Sequence, residues 1–109
     1  MGVTRRAEVG WDGDLASGSG IIRYVSSGSI SRLPVTWAAR TEAHDGRTSP
    51  EELIAAAHAS CFSMALSAQL GERGITAPAI ETTCTVTFEN LTLTKSVLKT
   101  TVKARGAPP

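Results

Sequence analysis

The side chains that could do chemistry at neutral pH are the thiols of Cys61 and Cys84 and the imidazoles of His44 and His58. Arg40, Arg47, Glu51 and Glu52 are charged groups that could tune them. Cys61 reads as a cysteine buried in the middle of a long helix. A lone cysteine on an apolar helix face is more often a small packed hydrophobe than a nucleophile. An ordinary thiol, with a pKa of about 8.5, is only a few per cent thiolate at neutral pH, so a reactive Cys61 needs a cation beside it. The helix dipole cannot serve, because Cys61 lies about twelve residues beyond the helix start and the dipole acts only over the first turn. The remaining cations are Arg40, Arg47 and His58. Arg47 falls in a polar loop and reads as solvated. His58 lies three residues before Cys61 and reads as a packed or rim residue. Arg40, at the end of a predicted strand, could be held rigidly over the helix. A carboxylate beside a thiolate would raise its pKa, so Glu51 is useful only if it holds an arginine in place; otherwise it is a favourable charge in the first helical turn. His44, His58, Cys61 and Cys84 are the right atom types for a metal but lack ligand spacing. Cys84 reads as core.

The elements that must position these groups follow from periodicity. Ser49-Pro50-Glu51-Glu52 is a helix start: Ser49 can accept from the N–H of Glu52, Glu52 can reach back, and Pro50 needs no N–H there. Leu53, Ile54, Ala57, Cys61, Met64, Ala65 and Ala68 then recur at helical spacing until Gly71 and Gly74. This predicts about 22 residues and about 33 Å of helix. Its apolar stripe is mostly alanine, so a neighbouring backbone or a second copy of the helix could approach closely.

Before this helix, strands are predicted over Val3–Trp11, Ile21–Val25 and Ile30–Ala39. They are separated by turns at Trp11–Asp14, Gly18–Gly20 and Ser26–Ser29, with Pro34 marking an edge or irregularity. After it, Ile80, Thr82, Cys84, Val86 and Phe88 alternate with polar residues as a half-buried strand. Asn90 marks a tight turn, and Leu91–Ala104 reads as a strand with a bulge between Leu93 and Leu98. Arg105 to Pro109 reads as unable to continue it. The order predicts an α+β fold in one domain, 1–109, with an antiparallel three-stranded meander and two later strands on a long central helix.

Composition narrows the functions. Eleven basic and ten acidic residues leave no electrostatic footprint for nucleic acid or a membrane surface. No apolar run suits a signal peptide and none is read as approaching transmembrane length, so the chain is expected to be cytoplasmic with its two cysteines reduced.

The run TSPEELIAAAHASCFSMALSAQLGERGI closely resembles the central helix of the OsmC proteins, relatives of the organic hydroperoxide resistance proteins. The Trp11–Asp14 and Gly18–Gly20 turns, Arg40 and the strand pair Ile80 to Ala104 fall where that family would place them. The resemblance implies a cofactor-free, metal-free thiol peroxidase acting on organic hydroperoxides and hydrogen peroxide, as an intertwined homodimer with sites at the subunit interface. It maps the peroxidatic cysteine onto Cys61, the thiolate-stabilising arginine onto Arg40 and the arginine-orienting glutamate onto Glu51, which overturns the structural reading of Cys61. Spacing adds a constraint. Ten residues of straight helix separate Glu51 from Cys61 by about 15 Å, so either the helix bends or part of the site comes from a partner chain, and the second is expected. Family members continue into a further helix, with a resolving cysteine, and a last strand. Without these, Cys61 is expected to depend on an external thiol or to proceed irreversibly to sulfinic acid, with Cys84 an unlikely substitute because a disulfide needs Cα atoms about 4.4–6.8 Å apart. An exposed apolar patch is also expected. The competing reading is a non-catalytic dimerisation module; it would tolerate loss of Arg40 with no change at the thiol.

Overall fold

A computed structural model describes residues 2–105, in two units that meet between Pro50 and Glu51. The first carries β1 (Ala7–Asp12), β2 (Ser19–Val25) and β3 (Ser31–Val35), an antiparallel sheet of order β1-β2-β3, followed by a short helix α1 (Trp37–Thr41). The second carries α2 (Pro50–Glu72), whose first residue closes the first unit, and the antiparallel hairpin of β4 (Thr76–Glu89) and β5 (Thr92–Arg105). The chain is therefore α+β, with the meander, long helix and strand pair in the predicted order. Gly106–Pro109, the end of the stretch expected to leave the strand, lies outside the described residues, and β5 itself runs through Arg105.

In the meander, Trp11 pairs with Gly20, and Gly20 in turn with Val35. A Cβ at Gly20 would stand 2.6 Å from Trp11 Cε3, so the indole lies across the strand at the one place where no side chain intrudes. Trp11 Nε1 donates to the carbonyl of Gly13 at 3.1 Å, tying the strand to its own turn. Pro34 lies in the edge strand β3, where a missing N–H is tolerated.

The third predicted strand is too long. It ends at Val35, and residues 37–41 are helical. Thr36 provides the reason: it has extended backbone, and its Oγ1 accepts from the N–H of Ala39 at 3.1 Å, an N-cap placed before the good helix former Ala38-Ala39. The Thr48 N–H donates to the Pro34 carbonyl at 3.2 Å and forms a parallel bridge with Val35, which fixes the loop that leads into α2.

α2 runs unbroken for 23 residues. It stops in a Schellman motif: Ile75 N–H donates to Leu70 O at 2.9 Å and Gly74 N–H to Gly71 O at 3.0 Å, with Gly74 at φ +72°. Gly74 is thus the terminating residue, and Gly71 belongs to the last turns. By length and composition alone α2 would suffice to cross a membrane, contrary to the reading that no segment approaches that length; its alanines raise the mean hydropathy without adding bulk.

The β4–β5 hairpin closes through Asn90 and Leu91, at φ +49° and +61°, between the paired Glu89 and Thr92. Two consecutive left-handed residues make a type I′ connection. The pairing shifts from Thr87↔Lys95 to Phe88↔Leu93, leaving Thr94 as the extra residue of the predicted bulge. Only Ile22 and Ala39 are buried hydrophobics among the described residues, whereas Met64, Leu91 and Val97 are more than half exposed.

Candidate functional site

Arg40 projects from α1, not from a strand, and is half-buried. Its guanidinium carbon stands 5.8 Å from the centroid of the Trp37 ring, one turn earlier, within cation–π range. Thr36 therefore matters to the arginine: by starting the helix at Trp37 it puts residues 37 and 40 on one side. Reading 30–39 as a strand hid this pair; the signal available was a capping threonine before Ala-Ala. Arg47 lies in the loop as expected, exposed and paired with Asp45 at 3.0 Å.

Glu51 and Glu52 both occupy the first turn of α2, yet they differ sharply. Glu51 is 8% exposed and Glu52 is open to solvent. A charge that merely complements the helix dipole would gain by staying in water, whereas a buried carboxylate must be held by polar groups. Burial therefore marks Glu51 as a carboxylate held by polar groups. Ser49, two residues before it, is 3% exposed.

Cys61 is exposed, which corrects the expectation of a cysteine buried within the helix. The reason lies in how α2 meets its hairpin. His58 and Ser63 turn toward the sheet: His58 Nδ1 lies 2.8 Å from Ser96 Oγ, and Ser63 Oγ lies 2.7 Å from Thr82 Oγ1. Leu53, Ala55, Ala59, Leu66 and Leu70 are half-buried beside them. The stripe of Ile54, Ala57, Cys61, Met64, Ala65 and Ala68 is left exposed. The thiol thus opens onto a surface of small and apolar side chains, suited to an alkyl group.

Because α2 is continuous, it holds Glu51 and Cys61 about 15 Å apart along one axis. The helix is not unwound between them. Arg40 belongs to the first unit, and Glu51 and Cys61 to the second.

Cys84 is half-buried, with Leu98 opposite it, and is more polar in its surroundings than a core cysteine. Its Sγ lies 3.1 Å from Ser96 Oγ and 3.7 Å from His58 Nδ1. No group of three or more His, Cys, Asp or Glu side chains that could hold a metal ion occurs among the described residues. A groove on the three-stranded sheet, lined by Gly10, Asp12, Arg23 and Arg32 among others, includes none of Arg40, Glu51 or Cys61.

These parts define an α+β chain with a long, cysteine-bearing helix. Its residues 43–109 match the family described as OsmC-like protein. Over all 109 residues the chain is 38% identical to the peroxiredoxin OsmC of Escherichia coli (strain K12), covering 75% of that protein, and equally so to the peroxiredoxin OsmC of Shigella flexneri. The chain belongs to the OsmC family, and its relatives support a peroxidase function within that family.

Proposed function

We propose that this protein is a cysteine-based peroxidase that reduces organic hydroperoxides, and hydrogen peroxide, to alcohols or water. The observation that carries the reading is similarity over all 109 residues to a peroxiredoxin together with a solvent-accessible Cys61 on an apolar helix face. The Cys61 thiolate attacks one peroxide oxygen; the O–O bond breaks, the alkoxide takes a proton and leaves as alcohol, and sulfur becomes a sulfenic acid. An external thiol then condenses with the sulfenic acid to a mixed disulfide, releasing water, and a second thiol frees Cys61. Arg40 stabilises the thiolate and the developing alkoxide, and Glu51 holds Arg40.

The active assembly in this proposal is a homodimer, with Arg40 and Glu51 of one protomer serving Cys61 of its partner. Two observations support it: the rigid spacing of Glu51 from Cys61, and the exposed Ile54, Met64 and Phe62 on α2, which an isolated chain leaves in water. The protein acts as a single functional domain in the cytoplasm, in antioxidant defence under oxidative or osmotic stress, without cofactor, metal, membrane or nucleic acid. Steady-state consumption of an organic hydroperoxide with excess small dithiol tests this. The wild type should turn over and Cys61→Ser should fall to the uncatalysed rate; equal rates would overturn the assignment.

A further inference from the structure

Cys84 takes no part in the peroxidase reading proposed above. Cys61 follows His58 by three residues but belongs to the exposed stripe, whereas His58 turns to the hairpin. At Cys84, three elements bring together three different groups: the thiol from β4, the hydroxyl of Ser96 from β5 and the imidazole of His58 from α2. The register places Leu98 directly across from Cys84 and Ser96 diagonally across, on the face that meets α2.

Ser96 is the middle member, 3.1 Å from the sulfur and 2.8 Å from Nδ1. A hydroxyl has one hydrogen and two lone pairs. With neutral His58 accepting at Nδ1, Ser96 donates to the ring and accepts from the thiol. Passing both hydrogens one step along the chain leaves an imidazolium donating to Ser96 and Ser96 donating to a thiolate. The direct Sγ to Nδ1 separation of 3.7 Å is long, so the hydroxyl is the shorter route for the proton. A structural cysteine gains nothing from a base and a relay; a nucleophilic one does. Ser96 and His58 are exposed and Cys84 is half-buried, so a small reagent reaches the sulfur from their side.

We propose that Cys84, Ser96 and His58 form a second reactive-thiol site that exchanges with low-molecular-weight disulfides and carries a reversible mixed disulfide. The Cys84 thiolate attacks one sulfur of the disulfide, a new S–S bond forms as the old one breaks, and the departing thiolate takes the proton back from His58 through Ser96. Cys84 is oxidised to the mixed disulfide, and the departing half of the reagent is reduced to a thiol. Excess of that thiol reverses the exchange. The site does not depend on Cys61 or on peroxide.

In a Cys61→Ser background Cys84 is the sole thiol. The probe is bis(2-hydroxyethyl) disulfide at neutral pH, followed by intact mass, with far-UV circular dichroism to confirm folding. A single adduct at Cys84, removed by excess 2-mercaptoethanol, is expected. Ser96→Ala and His58→Gln should each slow its formation about tenfold or more, at the low end for general acid–base assistance, and Ser96→Thr should restore the rate. In concentrated urea all variants should react alike. Should His58→Gln unfold, the Ser96 pair carries the test. No adduct on the folded chain, or equal folded-state rates for Ser96→Ala and Ser96→Thr, would overturn the proposal.

Discussion

Arg40 and Trp37 show how one short local signal controls a candidate catalytic group. The Thr36 cap places the ring 5.8 Å from the guanidinium carbon, where it limits the arginine's freedom. Replacing Arg40 with Ala is expected to lower kcat/KM for an organic hydroperoxide by about a hundredfold, the usual cost of removing one preorganised donor. Trp37→Ala should cost only several-fold, because it loosens the arginine without removing it. Equal losses would mean that Arg40 acts through packing. Asp14 makes a different prediction. Hydrogen bonds from the Ser17 hydroxyl and then the Ser17 amide hold its carboxyl below the usual 3.8. A depressed folded value means that the turn's stabilisation is present above the ordinary carboxylate pKa and is lost as pH falls through the depressed one. The Ser17 amide resonance should therefore titrate with a midpoint below 3.8, and a midpoint at or above it would refute this. Cys61, Arg40 and Glu51 were singled out by resemblance of the motif, but the burial that separates Glu51 from Glu52 was not legible, because both fit a helix start equally well.

At the scale of elements, the sequence was most informative where backbone chemistry is explicit. Pro50 and Gly74 bound α2, and Asn90 marks the hairpin. It misled where a strand-like run conceals a cap, as at Thr36, and where an alanine stripe was taken to imply burial, as around Cys61. The face of α2 that meets β4 and β5 is partly a set of hydroxyl and imidazole contacts, Ser63 to Thr82 and His58 to Ser96, which no hydrophobic periodicity can announce. Two substitutions test the terminations. Gly74→Ala should destabilise by about 1 kcal/mol, since a Cβ is unfavourable at φ +72°. Leu91→Gly should stabilise by a similar amount, about 1 kcal/mol, by relieving a left-handed leucine whose side chain is 76% exposed. Urea midpoints at fixed protein concentration measure both, and shifts of the opposite sign would contradict the backbone argument.

For the whole molecule, Ile22 and Ala39 alone are buried hydrophobics among the described residues. A partner covering the α2 stripe would supply burial that the single chain lacks, at about 25 cal/mol for each Å² of apolar surface. Complementation tests whether the site is shared. Mixed dimers of Cys61→Ser and Arg40→Ala chains contain one intact site if Arg40 serves its partner's thiol, and none if it serves its own. Refolding the two variants together should restore activity, and failure to do so despite mixed-dimer formation would assign the site to one protomer. The central claim is that Cys61 is the peroxidatic thiol. Its most direct test is the intact mass of the reduced chain after one equivalent of an organic hydroperoxide, with Cys61→Ser alongside. Rapid gain of one oxygen, mapped to Cys61 and absent from the variant, is expected; an unchanged mass, or equal oxidation of both proteins, would contradict this assignment.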